Sequence, residues 1–212
     1  PVIVLMLKFM FPTLFMNDYI FQTLSLTKML HYDYVEAALL EECIKLAAFF
    51  YVLKGRKNAA YDPPIAIIFY NMACSAGFAL YENIFYMFQN GNVMERAYSA
   101  VLMHMITGVI MGFFLNKALS SKCVLIEKVS QYEIYKPKLK RVKIIAQGLL
   151  AVILFHGTYN FNFSLPDNHY TTWYMTIYLV LGIIIAKLLI NEGVRLSKEL
   201  RRKKKKKNYN EN

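Results

Sequence analysis

Four groups of polar residues interrupt otherwise apolar stretches of the chain. They are Glu41-Glu42 with Lys45, Glu82, His104, and His156 with Asn160. Placing a charged or imidazole side chain inside a membrane costs at least a few kcal/mol, so such residues rarely occur there without a purpose. Because several of them occur together on different predicted helices, the sequence indicates an intramembrane active site.

The adjacent carboxylates and the nearby lysine suit acid–base chemistry. Glu41 and Lys45 are four residues apart with the glutamate first, the favoured orientation for an ion pair within a helix. Glu42 points about 100° away around the helix and is expected to face a different neighbour. Two adjacent carboxylates in a low-dielectric site cannot both ionise cheaply, so one can act as a general base while the other keeps its proton.

The histidines suggest two kinds of chemistry. His156 and Asn160 are four residues apart and line one helix face, where an imidazole and an amide could stabilise a tetrahedral oxyanion. Glu82, His104 and His156 could instead bind zinc, for which imidazole nitrogen and carboxylate oxygen are ordinary ligands. No H-E-x-x-H or similar zinc spacing is present. The sequence leaves the metal unknown and slightly favours a metal-free, glutamate-activated water.

Composition predicts an all-α, polytopic transmembrane bundle. Of the 212 residues, 57% are hydrophobic and 18% are charged, whereas a soluble domain carries about a quarter charged residues. About six helices are expected, at Val2–Met16, Asp33–Leu53, Pro64–Phe88, Ala97–Leu119, Val142–Phe161 and Thr172–Ile190. The second is the least apolar, so its polar residues, Glu36 included, are expected to face the bundle interior.

The distribution of lysine and arginine predicts the orientation in the cell membrane. Basic residues concentrate in alternate loops and in the tail at 198–212, while the loops at 17–32, 90–96 and 163–171 contain few. By the positive-inside rule both termini are expected in the cytoplasm. The net charge of +11 is thereby explained without nucleic acid, and the basic tail is expected to lie against anionic lipid.

On this topology the four polar groups share one depth. At 1.5 Å rise per residue they lie roughly 8–14 Å below the outer face, which predicts a single site that opens toward the extracytoplasmic side. Other polar or small residues have structural interpretations. His31 and His169 are expected in outer loops, and close helix packing is expected at four glycines: Gly77, Gly108, Gly112 and Gly157.

Taken in order, the motifs resemble those of the PrsW family of intramembrane proteases. The family pattern E-E-x-x-K, F-x-x-x-E, a His in the next helix, and H-x-x-x-D/N is matched at 41–45, at 78–82, by His104 and at 156–160. The resemblance covers roughly residues 34–161 of a membrane domain expected at 1–197. The clan also contains the CAAX prenyl proteases and bacteriocin-immunity membrane proteins, whose second motif ends in His, so Glu82 favours PrsW.

The resemblance implies hydrolysis of a peptide bond in a single-pass membrane protein, of the anti-sigma-factor type, near the extracytoplasmic face. Glu41 or Glu42 is expected to activate water, and His156 with Asn160 to stabilise the oxyanion. Glu82 and His104 complete the site as proton-transfer partners or metal ligands.

Two alternatives remain open at the level of sequence. One is a non-catalytic immunity or scaffold protein of the same clan. The other is a proton-coupled transporter, because buried glutamate and histidine also build proton relays. The transporter is less favoured, since the chain has no detectable inverted repeat and no span broken by an internal proline.

Overall fold

The computed structural model describes residues 26–55, 64–90, 94–123, 139–165 and 169–210, and this part of the chain is helical with no strand. The elements are α1 (Leu26–His31), a π-helical segment (Tyr32–Leu39), α2 (Leu40–Gly55), α3 (Pro64–Asn90), α4 (Met94–Cys123), α5 (Leu139–Ser164) and α6 (His169–Asn210). The predicted all-α fold is confirmed. The predicted helix at 2–16 and the predicted loop at 17–25 lie outside the described residues.

Helices α3, α4 and α5 lie within a few residues of their predicted bounds, but α6 is much longer than predicted. The prediction that it ends at Ile190 was wrong, because the helix continues through the basic tail to Asn210. The extension consists largely of leucine, lysine, arginine and glutamate, which are good helix formers. Within it, the Arg195 guanidinium donates from Nε to Glu192 Oε2 at 2.8 Å and lies 3.6 Å from Glu199.

The second predicted helix begins at Leu26 rather than Asp33 and contains the π segment. Its buried residues repeat every five positions, as Tyr32 with Ala37 shows, which is the hydrogen-bond spacing of a π-helix. His31 and Glu36 are also five apart and share the outer face, with Nδ1 3.2 Å from Oε1. The predictions that Glu36 faces the interior and that His31 lies in a loop were therefore wrong.

Helix α4 is the centre of the bundle. It packs against α3, α5 and α6, while the π segment packs on α5 and α2 contacts both α3 and α5. In the stretch that could span a membrane, 61% of α4 is buried within the protein, compared with 6% of α6. The apolar core is formed mainly between α2, α3, α4 and α5, by Phe49, Ile68, Ile106, Val109, Leu115 and Val152.

Four helices are long and apolar enough to cross a membrane, at Ile65–Phe88, Tyr98–Leu119, Arg141–Ser164 and Thr172–Glu199. The chain is therefore a multi-pass membrane protein. Helix α2 is not among these four helices, because it has 16 residues and contains Glu41, Glu42 and Lys45, all of which are buried.

Close contact between α3 and α4 depends on a Gly-x-x-x-Gly pair. A Cβ at Gly108 would lie 2.8 Å from Met72 Cα, and one at Gly112 would lie 2.8 Å from Ile68 Cα. Small residues with this spacing let two membrane helices approach closely. Gly77, however, has nothing within 4 Å of its added Cβ, so the prediction of close packing there was wrong.

We predict that Gly108→Ala destabilises the protein by about 1–3 kcal/mol, because backbone atoms of α3 would have to move away from α4. Gly77→Ala is the matched control, since its methyl group enters open space and alanine favours helix by up to about 1 kcal/mol. Thermal unfolding in detergent measures both. Equal melting temperatures for the two variants would contradict the packing described for α3 and α4.

Candidate active site

Six buried polar side chains meet inside the bundle, and each is at most 3% exposed. Three come from α2 and one each from α3, α4 and α5: Glu41, Glu42, Lys45, Glu82, His104 and His156. We call this set the six-residue network. The fold thus brings together the predicted catalytic residues and the predicted supporting lysine, although they span more than half the length of the chain.

Glu42 is the centre of the six-residue network. Its Oε1 atom lies 2.5 Å from Lys45 Nζ and 2.8 Å from His156 Nδ1, so one carboxylate oxygen accepts from α2 and from α5. The sequence indicated Glu41 as the ion-pair partner of Lys45, whereas the buried pair in the structure is between Lys45 and Glu42. Glu41 Oε2 instead faces the other nitrogen of His156, Nε2, at 3.6 Å.

Lys45 extends the hydrogen bonds to α4 and α3. Its Nζ lies 2.8 Å from His104 Nδ1, and His104 Nε2 lies 2.9 Å from Glu82 Oε2. A continuous chain of hydrogen bonds therefore runs from Glu82 to His156 and crosses four helices. Such a chain fixes the relative position of those helices, because a buried polar group that lost its hydrogen-bond partner would cost free energy.

Aromatic rings close the site around the lysine. Lys45 Nζ lies 5.3 Å from the centroid of the Phe78 ring, a cation–π distance. The Phe78 ring contacts His104 edge-on at 5.7 Å, and the rings of His104 and His156 form a T-shaped pair at 5.0 Å. Phe78 was part of the F-x-x-x-E motif, and the structure places it against both the ammonium group and the imidazole.

In the neutral form of both histidines, the hydrogen bonds assign opposite tautomers to the two rings. An ammonium group can only donate, so His104 Nδ1 accepts from Lys45 and its hydrogen lies on Nε2, which donates to Glu82. His156 donates from Nδ1 to the carboxylate of Glu42, which leaves Nε2 as the acceptor facing Glu41. The lone pair is therefore on Nδ1 in His104 and on Nε2 in His156.

The π segment braces α5 next to His156, a feature that sequence reasoning missed. Thr158 donates its hydroxyl hydrogen to Leu154 O at 2.8 Å, so Tyr34 donates to Thr158 Oγ1, also at 2.8 Å. A Cβ at Gly157 would overlap the Tyr34 ring. Gly157 is therefore a close-packing position, as predicted. Its position next to His156 was the one feature of the sequence that could have indicated this contact.

A buried aspartate adds a second link between the π segment and α5. Asp33 Oδ1 accepts from Ser164 Oγ at 3.1 Å, at the end of α5. Asn160, by contrast, is half-buried and takes no part in the hydrogen bonds that join the six-residue network. Its role with His156 in stabilising an oxyanion stays a prediction.

Within the described residues, three members of the six-residue network form a possible metal site. Glu41, His104 and His156 each offer one donor atom, and these atoms lie within 4.8 Å of one another. One carboxylate with two imidazoles is a known ligand set of catalytic zinc, so the residues fit such an ion in type. The sequence-based set contained Glu82 in place of Glu41, but the structure uses Glu82 to hold His104 Nε2.

The fold and the site define a polytopic helical membrane protein with a buried carboxylate–imidazole centre. A family model described as "PrsW family intramembrane metalloprotease" matches residues 2–188. The chain belongs to the PrsW family, and the resemblance drawn from the motifs is confirmed. No solved structure matches the chain significantly.

Curated relatives agree with this assignment. The chain is 31% identical over 150 residues to Protease PrsW of Bacillus subtilis, covering 70% of this chain and 60% of that protein. It is 30% identical over 194 residues to Protease PrsW of Oceanobacillus iheyensis, covering 88% and 81%. With Protease PrsW of Geobacillus kaustophilus it shares 39% over 88 residues, covering 40% and 38%. The chain thus spans about 60% of the Bacillus subtilis protein.

The tautomers give a spectroscopic prediction. In protein with ¹⁵N-labelled histidine, His104 should show a protonated Nε2 and His156 a protonated Nδ1, because their hydrogen-bond partners differ. His104→Gln and His156→Gln assign the two sets of signals by their loss. If both imidazoles carried hydrogen on the same ring nitrogen, the order of hydrogen bonds through Lys45 would be wrong.

Proposed function

We propose that the chain is an intramembrane endopeptidase that hydrolyses a peptide bond of a membrane-anchored protein with an activated water. The observation that carries the proposal is the geometry around His156, which has a carboxylate oxygen on each side. Glu42 Oε1 is hydrogen-bonded to Nδ1, and Glu41 Oε2 faces Nε2 at 3.6 Å. Family membership supports the same class of reaction.

Glu41 is the proposed general base. The distance from its Oε2 to His156 Nε2 is beyond a direct hydrogen bond, and we propose that the reacting water binds next to these two acceptors. Glu42 Oε1 already accepts from Lys45 and from His156, so its function is to orient the imidazole and hold the ammonium. Of the two glutamates between which the sequence left the choice open, we therefore propose Glu41.

The proposed reaction balances on the chain's own groups. The water oxygen attacks the carbonyl carbon of the substrate while Glu41 takes the released proton. Since His156 Nε2 is an acceptor in its assigned tautomer, the amide of Asn160 is the donor proposed for the oxyanion. The carbon–nitrogen bond then breaks, and the proton on Glu41 passes to the departing amine.

Glu82 and His104 are proposed as positioning residues that act through Lys45 and Glu42. Glu82 fixes the tautomer of His104, whose Nδ1 then accepts from Lys45 and holds the ammonium against Glu42. Glu41, His104 and His156 would hold a zinc ion only with Lys45 displaced from His104 Nδ1, and the ion would then supply a water acidified by the metal. The orienting functions of Glu42 and Glu82 apply with or without it.

The proposed substrate is a single-pass membrane protein of the anti-sigma-factor type, cleaved near the extracytoplasmic face. Helices α3 and α5 place Glu82 and His156 near their C-terminal ends, and α4 places His104 near its N-terminal end. These ends are predicted to lie outside by the charge pattern of the loops. The basic tail at 198–212 is then at the opposite, cytoplasmic face, next to anionic lipid.

The catalytic assignment predicts that Glu41→Gln lowers the cleavage rate at least about 100-fold, because the proton acceptor is removed. Glu36→Gln is the matched control, since this glutamate lies in the same continuous helix with its side chain 47% exposed, and it should cleave at the wild-type rate. Purified protein and a fluorescently tagged single-pass substrate in detergent provide the assay.

Two outcomes would count against this proposal. Equal cleavage by wild type and Glu41→Gln would remove Glu41 as the base. If no membrane-anchored substrate were cleaved by wild type, the non-catalytic immunity or scaffold alternative would be favoured.

The orientation gives a second prediction. Single cysteines at Asn92 and Asn168, in a background without native cysteines, should react with an impermeant thiol reagent added outside. Cysteines at Lys138 and Asn208 should react only after permeabilisation, because α6 crosses the membrane between 168 and 208. Labelling of 168 and 208 from the same side would contradict the topology and the proposed side of cleavage.

A further inference from the structure

We infer that the Lys45 ammonium is the resident cation of the site and that it excludes a divalent metal from His104. The inference concerns what occupies the site, and it is independent of the substrate proposed above. The donor atoms of Glu41, His104 and His156 converge, and an ion bound by all three would need an available lone pair on each of them.

Both ring nitrogens of His104 are engaged. Nε2 lies 2.9 Å from Glu82 Oε2, and Nδ1 lies 2.8 Å from Lys45 Nζ. A zinc ion binds imidazole nitrogen at about 2.0–2.1 Å along the direction of the lone pair. Because Nε2 carries the hydrogen, Nδ1 holds the lone pair, and the ammonium group of Lys45 already occupies its direction.

Charge adds to this steric competition. A divalent ion at His104 Nδ1 would lie within a few ångströms of a buried ammonium group, and repulsion between like charges is strong where water is excluded. Lys45 is also well held where it is, by Glu42 Oε1 at 2.5 Å and by the Phe78 ring at 5.3 Å. Metal binding therefore requires that Lys45 leave these partners.

The same arrangement explains why three carboxylates can be buried together. Glu41, Glu42 and Glu82 are each at most 3% exposed, and a positive charge among them offsets part of their mutual repulsion. A metal ion could serve that purpose, and here Lys45 does. The position of Lys45 at the fifth residue of the E-E-x-x-K motif keeps this cation on the same helix as two of the carboxylates.

Metal titration of detergent-purified protein tests the inference. Cobalt(II) chloride is the probe, because its visible absorption reports coordination by imidazole and carboxylate, and zinc chloride then competes for the same site. Lys45→Met should bind cobalt at least about tenfold more tightly than wild type, an effect of the size that changes around metal ligands produce. Lys45→Arg keeps the charge and should show no gain.

Two further variants locate the effect. Lys54→Met removes an exposed lysine from the same helix and should leave the affinity at the wild-type value. Adding His104→Ala to Lys45→Met should abolish the gain, because the lone pair that Lys45 had covered is gone. If Lys45→Met does not fold, Lys45→Gln removes the charge with a polar side chain and should shift the affinity in the same direction.

Equal cobalt affinity of wild type and the folded, uncharged Lys45 variant would overturn the inference. A gain that survives His104→Ala would also overturn it, because the competition would then lie elsewhere. The readout is binding rather than cleavage, so an inactive protein could still confirm the competition, and an active one could still contradict it.

Discussion

One oxygen of Glu42 accepts two hydrogen bonds and is the point at which the buried network joins its helices. They join a buried ammonium to a buried imidazole and so couple α2 to α5 and, through Lys45, to α4 and α3. Removing one partner of a buried ion pair typically costs about 3–5 kcal/mol, because the other charge remains without compensation. The four helices therefore share one arrangement in which the hydrogen bonds from Glu82 to His156 form together.

Apolar packing supplies the stability that this polar centre does not. Gly108 and Gly112 let α3 and α4 touch backbone to backbone, and Asn71 Nδ2 donates across the contact to Gly108 O at 2.8 Å. The π segment packs on α5 with Tyr34 against Gly157, one residue from His156. The site thus lies between two close helix contacts, which hold the helices that carry its side chains.

From the sequence, α3, α4 and α5 could be placed to within a few residues, and the polar residues of the network could be identified, because apolar stretches and spacings of four are local properties. The sequence was not sufficient for partners that depend on three-dimensional placement. Lys45 pairs with Glu42 rather than with the predicted Glu41, and the possible metal ligands include Glu41 rather than the predicted Glu82. Both differences follow from which carboxylates face His156 and His104. The π segment, which turns Glu36 outward, has no signature in the hydrophobic pattern.

We propose that this site hydrolyses the peptide bond with Lys45 as its cation and Glu41 as its base. The most direct measurement is the metal content and the cleavage rate of one purified sample, before and after dialysis against a chelator. If Lys45 is the resident cation, zinc is substoichiometric and the rate of cleavage is unchanged after dialysis. Stoichiometric zinc that is lost together with activity, with both restored when zinc is added back, would contradict it.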